Sequence, residues 1–254
     1  MNTNLSLAAF PCLTHEAAIK VAMAYAHREP LLGHLHTDHL QLVPQNRGQL
    51  TPEFAQSIAA AHPDTQFRLH ANTHVTERRV FADLSGWTVY REFFSAAATV
   101  SKALKAPAYS AHAGARAQAT CIEVLDYARR ASDLFGCPVA VEGHYPTPKE
   151  NGKWLFSTWE EYRMLFDSGV PYALDLSHLN IVAHQSGTNE MQLVNEMLAC
   201  ERCIEVHLSD NDGNGDHHRV SGSAKPWWWS LTDSIHESAV VFTEGNHLSA
   251  STDH

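Results

Sequence analysis

The stretch Glu205 to Gly222, EVHLSDNDGNGDHHRVSG, is dense with residues able to do chemistry. It holds His207, Asp210, Asp212, Asp216, His217, His218 and Arg219. Imidazole nitrogens and carboxylate oxygens together suit Zn²⁺, Mn²⁺, Fe²⁺ or Co²⁺. A polar surface loop with a chance cluster of histidines has the same composition, so the loop alone does not decide. Its setting is informative. Residues 204–208 alternate as a buried strand does, and the Asp/Asn/Gly-rich turn follows at the strand's C-terminal end.

That strand belongs to a regular series. Apolar or alternating runs predict strands at 5–10, 31–43, 66–75, 107–114, 138–146, 171–181, 203–210 and 238–246. Helical spacing predicts helices at 15–28 (Thr14 as N-cap), 51–62 (Pro52 in the first turn), 87–104, 116–136 (closed by Gly136), 157–167 and 188–200, with a short one after Pro226. Eight strands separated by seven helix-length segments predict a (β/α)₈ TIM barrel whose eighth helix is short or missing. No linker or repeat interrupts the chain, so residues 1–254 read as a single domain.

Composition narrows the function classes. Lys plus Arg number 18 against 28 Asp plus Glu, a formal net charge of −10. Without a basic run to neutralise phosphates, the chain argues against gripping nucleic acid. No apolar run reaches the length of a membrane span, and no basic region precedes the apolar N-terminal residues as in a signal peptide. Five cysteines, an odd number, lie in or beside apolar segments. This usage predicts reduced thiols and a cytoplasmic location, with Cys200 and Cys203 structural.

A barrel of this kind carries its site at the C-terminal ends of its strands. Those ends hold His70, His112, Glu142, Asp175 with His178, His207 and Glu244. Any one of them alone reads as a wall histidine or a helix cap. From the fourth strand to the eighth, however, every strand end offers a metal ligand, and the barrel brings all of them to one mouth. His34, His36, Asp38 and His39 are assigned to the end of the second strand, where they could line the mouth or be wall residues. Arg78 and Arg79 read as a solvated pair.

The arrangement resembles the xylose isomerase-like TIM-barrel superfamily of sugar isomerases, epimerases, dehydratases and the endonuclease IV type of apurinic/apyrimidinic endonuclease. VAVEGHYP, ALDLSHLNI, EVHLSDNDGNGDHHRVSG and VVFTEGN carry the resemblance, which covers about residues 66–246. The epimerase branch implies one divalent metal (Mn, Zn, Co or Mg) on Glu142, Asp175, His207 and Glu244. There the two glutamates are catalytic and exchange protons with a carbon next to a carbonyl. His178, Arg219, His70 and His112 are the substrate-binding residues on that reading. The endonuclease IV branch implies three zinc ions on nine residues, adding His70, His112, His178, Asp216 and His218 to those four. An isomerase or epimerase of a small carbohydrate-like compound is the first expectation, and a multi-zinc phosphoesterase the alternative. Homo-oligomers are compatible with either. The chain departs from its relatives in placing Gly143 and His144 after Glu142, where Asn often follows, and in Gly222-Ser223-Ala224 followed by Trp227–Trp229.

Overall fold

The computed structural model describes residues 2–147 and 152–250. Eight parallel strands form the barrel: β1 Thr3–Ser6, β2 Gly33–Leu42, β3 Gln66–Leu69, β4 Tyr109–His112, β5 Val139–Glu142, β6 Tyr172–Asp175, β7 Cys203–Leu208 and β8 Val240–Thr243. Each pairs with its sequence neighbour, and β1 closes the ring against both β8 (Thr3↔Val241) and β2 (Thr3↔Leu35). Helices α1 His15–Ala24, α2 Pro52–Ala61, α3 Arg91–Leu104, α4 Cys121–Phe135, α5 Trp159–Asp167, α6 Leu176–Ser186, α7 Met191–Leu198 and the short α8 His247–Ala250 complete it. The fold is a (β/α)₈ barrel whose last helix is described over His247–Ala250. Among the described residues, no helix is long and apolar enough to cross a membrane.

Local chemistry explains the boundaries. Thr14 and Thr51 cap α1 and α2 by accepting from the amides of Ala17 and Phe54. Thr120 and Glu123 form a reciprocal capping box on α4, and Gly136 ends that helix at φ 73°. Most strands are shorter than their apolar runs, because the ends of those runs turn out as loop. The largest departure lies after β6. The run to Ile181 reads as strand, yet Asp175 Oδ1 accepts from the amides of Ser177 (2.7 Å) and His178 (3.1 Å), and α6 begins at once. A side-chain cap outweighs the alternating pattern there. The expected helix at 188–200 is correspondingly the second of two, α7. Trp228 is buried and Trp227 Nε1 donates to Asn180 Oδ1, so the tryptophan run packs against α6.

Candidate metal centre

The register of the barrel sets the ligands side by side. His112 is paired with Glu142 across β4 and β5, and Asp175 with His207 across β6 and β7. Alternation points Arg68 with His70, and Glu205 with His207, to the same face of their strands. His178 arrives from the first turn of α6 rather than from a strand. Asp216 and His218 arrive from the loop after β7, pinned at its base by the backbone pair Asp210–Arg219.

Glu142, 1 % exposed, is the hub. Its carboxylate lies 3.3 Å from His207 Nδ1 and 3.7 Å from His70 Nδ1, His112 Nε2 and His178 Nδ1. His178 Nε2 is 3.4 Å from Asp175 and 3.5 Å from Asp216. His218 is 3.0 Å from Asp216 through Nε2 and 3.7 Å from Glu244 through Nδ1. Most of these separations exceed a good hydrogen bond. Apart from those through His70 Nδ1 and His178 Nδ1, which are held by Ser110 Oγ and the Gly143 carbonyl, they are near the roughly 3.3 Å between two ligands on one tetrahedral ion with bonds near 2.0–2.1 Å.

Three further features test whether the residues suit cations. Glu142 Oε2, His207 Nδ1 and His218 Nδ1 are buried without a hydrogen-bond partner, a rare condition for buried polar atoms. The histidines are also oriented from behind. His207 Nε2 lies 3.2 Å from Glu205 Oε2, His178 Nδ1 2.9 Å from the Gly143 carbonyl, and His112 Nδ1 3.5 Å from Asp83. Each leaves the other ring nitrogen toward the carboxylates, the arrangement of metal-binding histidines. The electrostatics agree. Burial opposes charge on His178 and His218, but Asp175 and Asp216 beside the first raise it to about 10, and Asp216 with Glu244 beside the second raises it to about 9. Burial pushes Glu244 up to about 7 against the pull of His207 and His218. A mouth so rich in carboxylates draws protons onto its histidines where cations could stand. His70 is held down at about 3 by burial, and its Nδ1 lies 3.0 Å from Ser110 Oγ.

A cavity of about 250 Å³ opens above the cluster, lined by His70, His112, Glu142, His178, Asp216 and Glu244 on the ligand side. Pro44, Gln45, His144, Tyr145 and Trp154 form part of its wall. His218 lines it too, so that seven of the nine expected ligands face this space. The other two, Asp175 and His207, are buried beneath it.

Two expectations do not meet the geometry. Arg219 is not brought to the cavity: its side chain is more than half exposed and faces Asp212 at 3.9 Å. His34, His36, Asp38 and His39 occupy the N-terminal part of β2, not its end. Asp38 and His39 border a separate depression with Asn2, Asn4, Gln66 and Arg68. Asp83, His144 and Glu205 join the site without having been expected there. Strand parity could have found Glu205, two residues from His207 on one strand face. Asp83 lies in the irregular segment after β3, where no periodicity marks it.

No family model matches the sequence, and no curated protein matches it. Solved structures do. A D-tagatose 3-epimerase-like protein aligns over 97 % of this chain and 91 % of its own, with TM-score 0.69 and 14 % identity. A D-psicose 3-epimerase in the presence of D-fructose aligns over 96 % and 84 %, with TM-score 0.62 and 13 % identity. Endonuclease IV from Thermus thermophilus aligns over 95 % and 90 %, with TM-score 0.55 and 15 % identity. The chain shares the (β/α)₈ barrel fold of these structures.

Proposed function

We propose that this chain is a multi-metal hydrolase acting on a phosphoester of a small carbohydrate-like molecule. The observation that carries the reading is the Asp216–His218–His178 group standing at the cavity beside the Glu142 hub. A single-ion site needs only Glu142, Asp175, His207 and Glu244. It would leave His70, His112, His178, Asp216 and His218 as buried or half-buried polar groups with no cation to face. Glu142 with His70 and His112, His207 with Glu142 and Glu244, and His178 with Asp175, Asp216 and His218 would hold the ions. Bound divalent cations supply Lewis acidity and positive charge to such a site.

Ion count sets the substrate's charge. Against the four carboxylates Glu142, Asp175, Asp216 and Glu244, one dication with protonated His178 and His218 leaves the mouth near neutral, whereas three dications on neutral histidines bring it to about +2, which attracts a phosphate. Among the described residues, no Lys or Arg lines the cavity to do that work instead. Its volume suits a compact molecule, and the net charge of −10 disfavours a nucleic-acid strand. The protein's own part is to orient. Glu205, the Gly143 carbonyl and Asp83 fix the histidine rings, and Glu244 can hold or release a proton near neutral pH.

The single-metal isomerase reading retains one specific support. Glu142 and Glu244 both face the cavity as buried carboxylates, the pair needed to exchange protons with a carbon next to a carbonyl. Metal content per chain, on protein purified without chelator or added metal, separates the two. Two or three ions together with phosphate release from small sugar phosphates is the expected result. One ion, with solvent deuterium entering a ketose, would replace hydrolysis by isomerisation. No ion after titration would remove both.

A further inference from the structure

His112 faces two ways. Its Nε2 looks toward Glu142, while its Nδ1 lies 3.5 Å from Asp83 Oδ1. Asp83 Oδ1 already accepts from Asn72 Nδ2 at 2.8 Å. His144 completes a triangle: ligand atoms of Asp83, His112 and His144 all lie within 4.8 Å of one another. The His144 Nε2 atom is buried and has no hydrogen-bond partner. Its ring is held by Trp154, stacked at 4.6 Å and 27°, and by His112 at 5.1 Å.

The carboxylate is presented as firmly. Asn72 adopts a left-handed φ of 61°, and its side chain grips both the Ala82 amide and Asp83. Gly114, at φ 94°, lets the β4 end pass so close that a Cβ there would stand 2.7 Å from Asp83 Cβ. A plain Asp83–His112 hydrogen bond explains neither this fixed approach of a third ligand nor the unpartnered His144 nitrogen. Two imidazoles and one carboxylate are the three-ligand set of an open zinc site, and they also suit Cu²⁺ or Ni²⁺.

We propose that Asp83, His112 and His144 form an accessory divalent transition-metal site on the rim of the cavity, with His112 shared with the central cluster as a bridging imidazolate whose Nδ1 proton is released to solvent when the ion binds. His144 lines the cavity, so the open position there takes an oxygen donor of the substrate, a hydroxyl, carboxylate or phosphoryl group, at the end remote from the hub.

The test is ion counting on chelator-treated full-length protein reloaded with Co²⁺, with Trp emission read in parallel. Wild type, His144→Ala, Asp83→Asn, Trp154→Phe and Glu244→Gln are compared. His144→Ala and Asp83→Asn should each hold one ion fewer than wild type. The final equivalent of Co²⁺ should quench emission in wild type and not in Trp154→Phe. If His144→Ala fails to fold, Asp83→Asn carries the same measurement. A full complement of ions in either folded variant overturns the accessory site. The central reading fails separately: an ion lost in His144→Ala with none lost in Glu244→Gln keeps the accessory site and removes the cluster. The reverse pattern keeps the cluster alone.

Discussion

Glu142 and Glu205 approach the same imidazole, His207, from its two nitrogens, and they are satisfied in opposite ways. Both carboxylates are essentially unexposed. Glu205 accepts from Arg68 at 3.0 Å and from Gln41 at 3.2 Å, and lies 3.2 Å from His207 Nε2. Burial works against its charge, but His207 and Arg68 outweigh it and hold the carboxyl down at about 2. Glu142, on the Nδ1 side, has four histidines at 3.3–3.7 Å and an oxygen with no hydrogen-bond partner. A buried charge that is matched belongs to the architecture. One whose neighbours stand at ligand spacing is arranged for something that is not protein.

The largest effect should separate the two by activity. Glu142→Gln should remove bound metal and lower turnover about thousandfold or more, because several kcal/mol of barrier depend on it. Chelator-treated Glu142→Gln should lose less stability than Arg68→Met does, since His207 keeps Glu205 as a partner when the Glu142 charge is removed. Urea denaturation of both proteins checks this. A large loss in the metal-free protein would place Glu142 with Glu205 as a structural group. Arg68→Met attacks the other side. It leaves Glu205 buried without its cation and should cost about 3–5 kcal/mol in denaturation with or without metal. A loss confined to the metal-loaded protein would break the distinction.

The same contrast marks what the sequence could reveal. His70, His112, Glu142, His207 and Glu244 were legible because a barrel gathers strand ends, so knowing the ends is knowing the mouth. Arg68 and Glu205 lie two residues before His70 and His207, and only the period-two alternation of a strand tells that they point inward as well. His178 comes to the cavity by a route that the strand pattern does not show: it stands in the first turn of α6 because Asp175 caps that turn. Arg219 is adjacent to His218, yet the Asp210–Arg219 backbone pair sends its side chain outward. A single residue's direction in an irregular loop depends on such pairings, which spacing does not encode. Asp83 depends on Asn72 and on the closeness that Gly114 permits, both tertiary facts.

A smaller effect sharpens the link between the two carboxylates. Glu205→Gln keeps the shape but weakens the acceptor that holds the proton on His207 Nε2. Metal affinity should fall about 10–100-fold, the usual cost of losing such a partner, as read by competition with a chromogenic chelator. Unchanged affinity would mean that Glu205 serves only Arg68 and Gln41, and the two sides of His207 would be independent.

The smallest effect uses a histidine away from the mouth as the control. His15, in α1, is 3 % exposed, and burial, then His74, push it down to about 4 from an ordinary 6.5. No carboxylate faces it at ligand spacing among the ion pairs of the described residues, so it should bind nothing and act only as an acid liability. Its folded value lies below its unfolded one. The stability it allows is therefore complete above pH 6.5 and drains as pH falls from there toward 4, with a slope of about 1 kcal/mol per pH unit. Chelator-treated His15→Gln should lose less stability than wild type between pH 7 and 4 in urea titrations. If both proteins lose the same amount, the acid sensitivity resides in the unpaired histidines and carboxylates of the mouth. The cluster would then be a cost to the metal-free fold as well as a site.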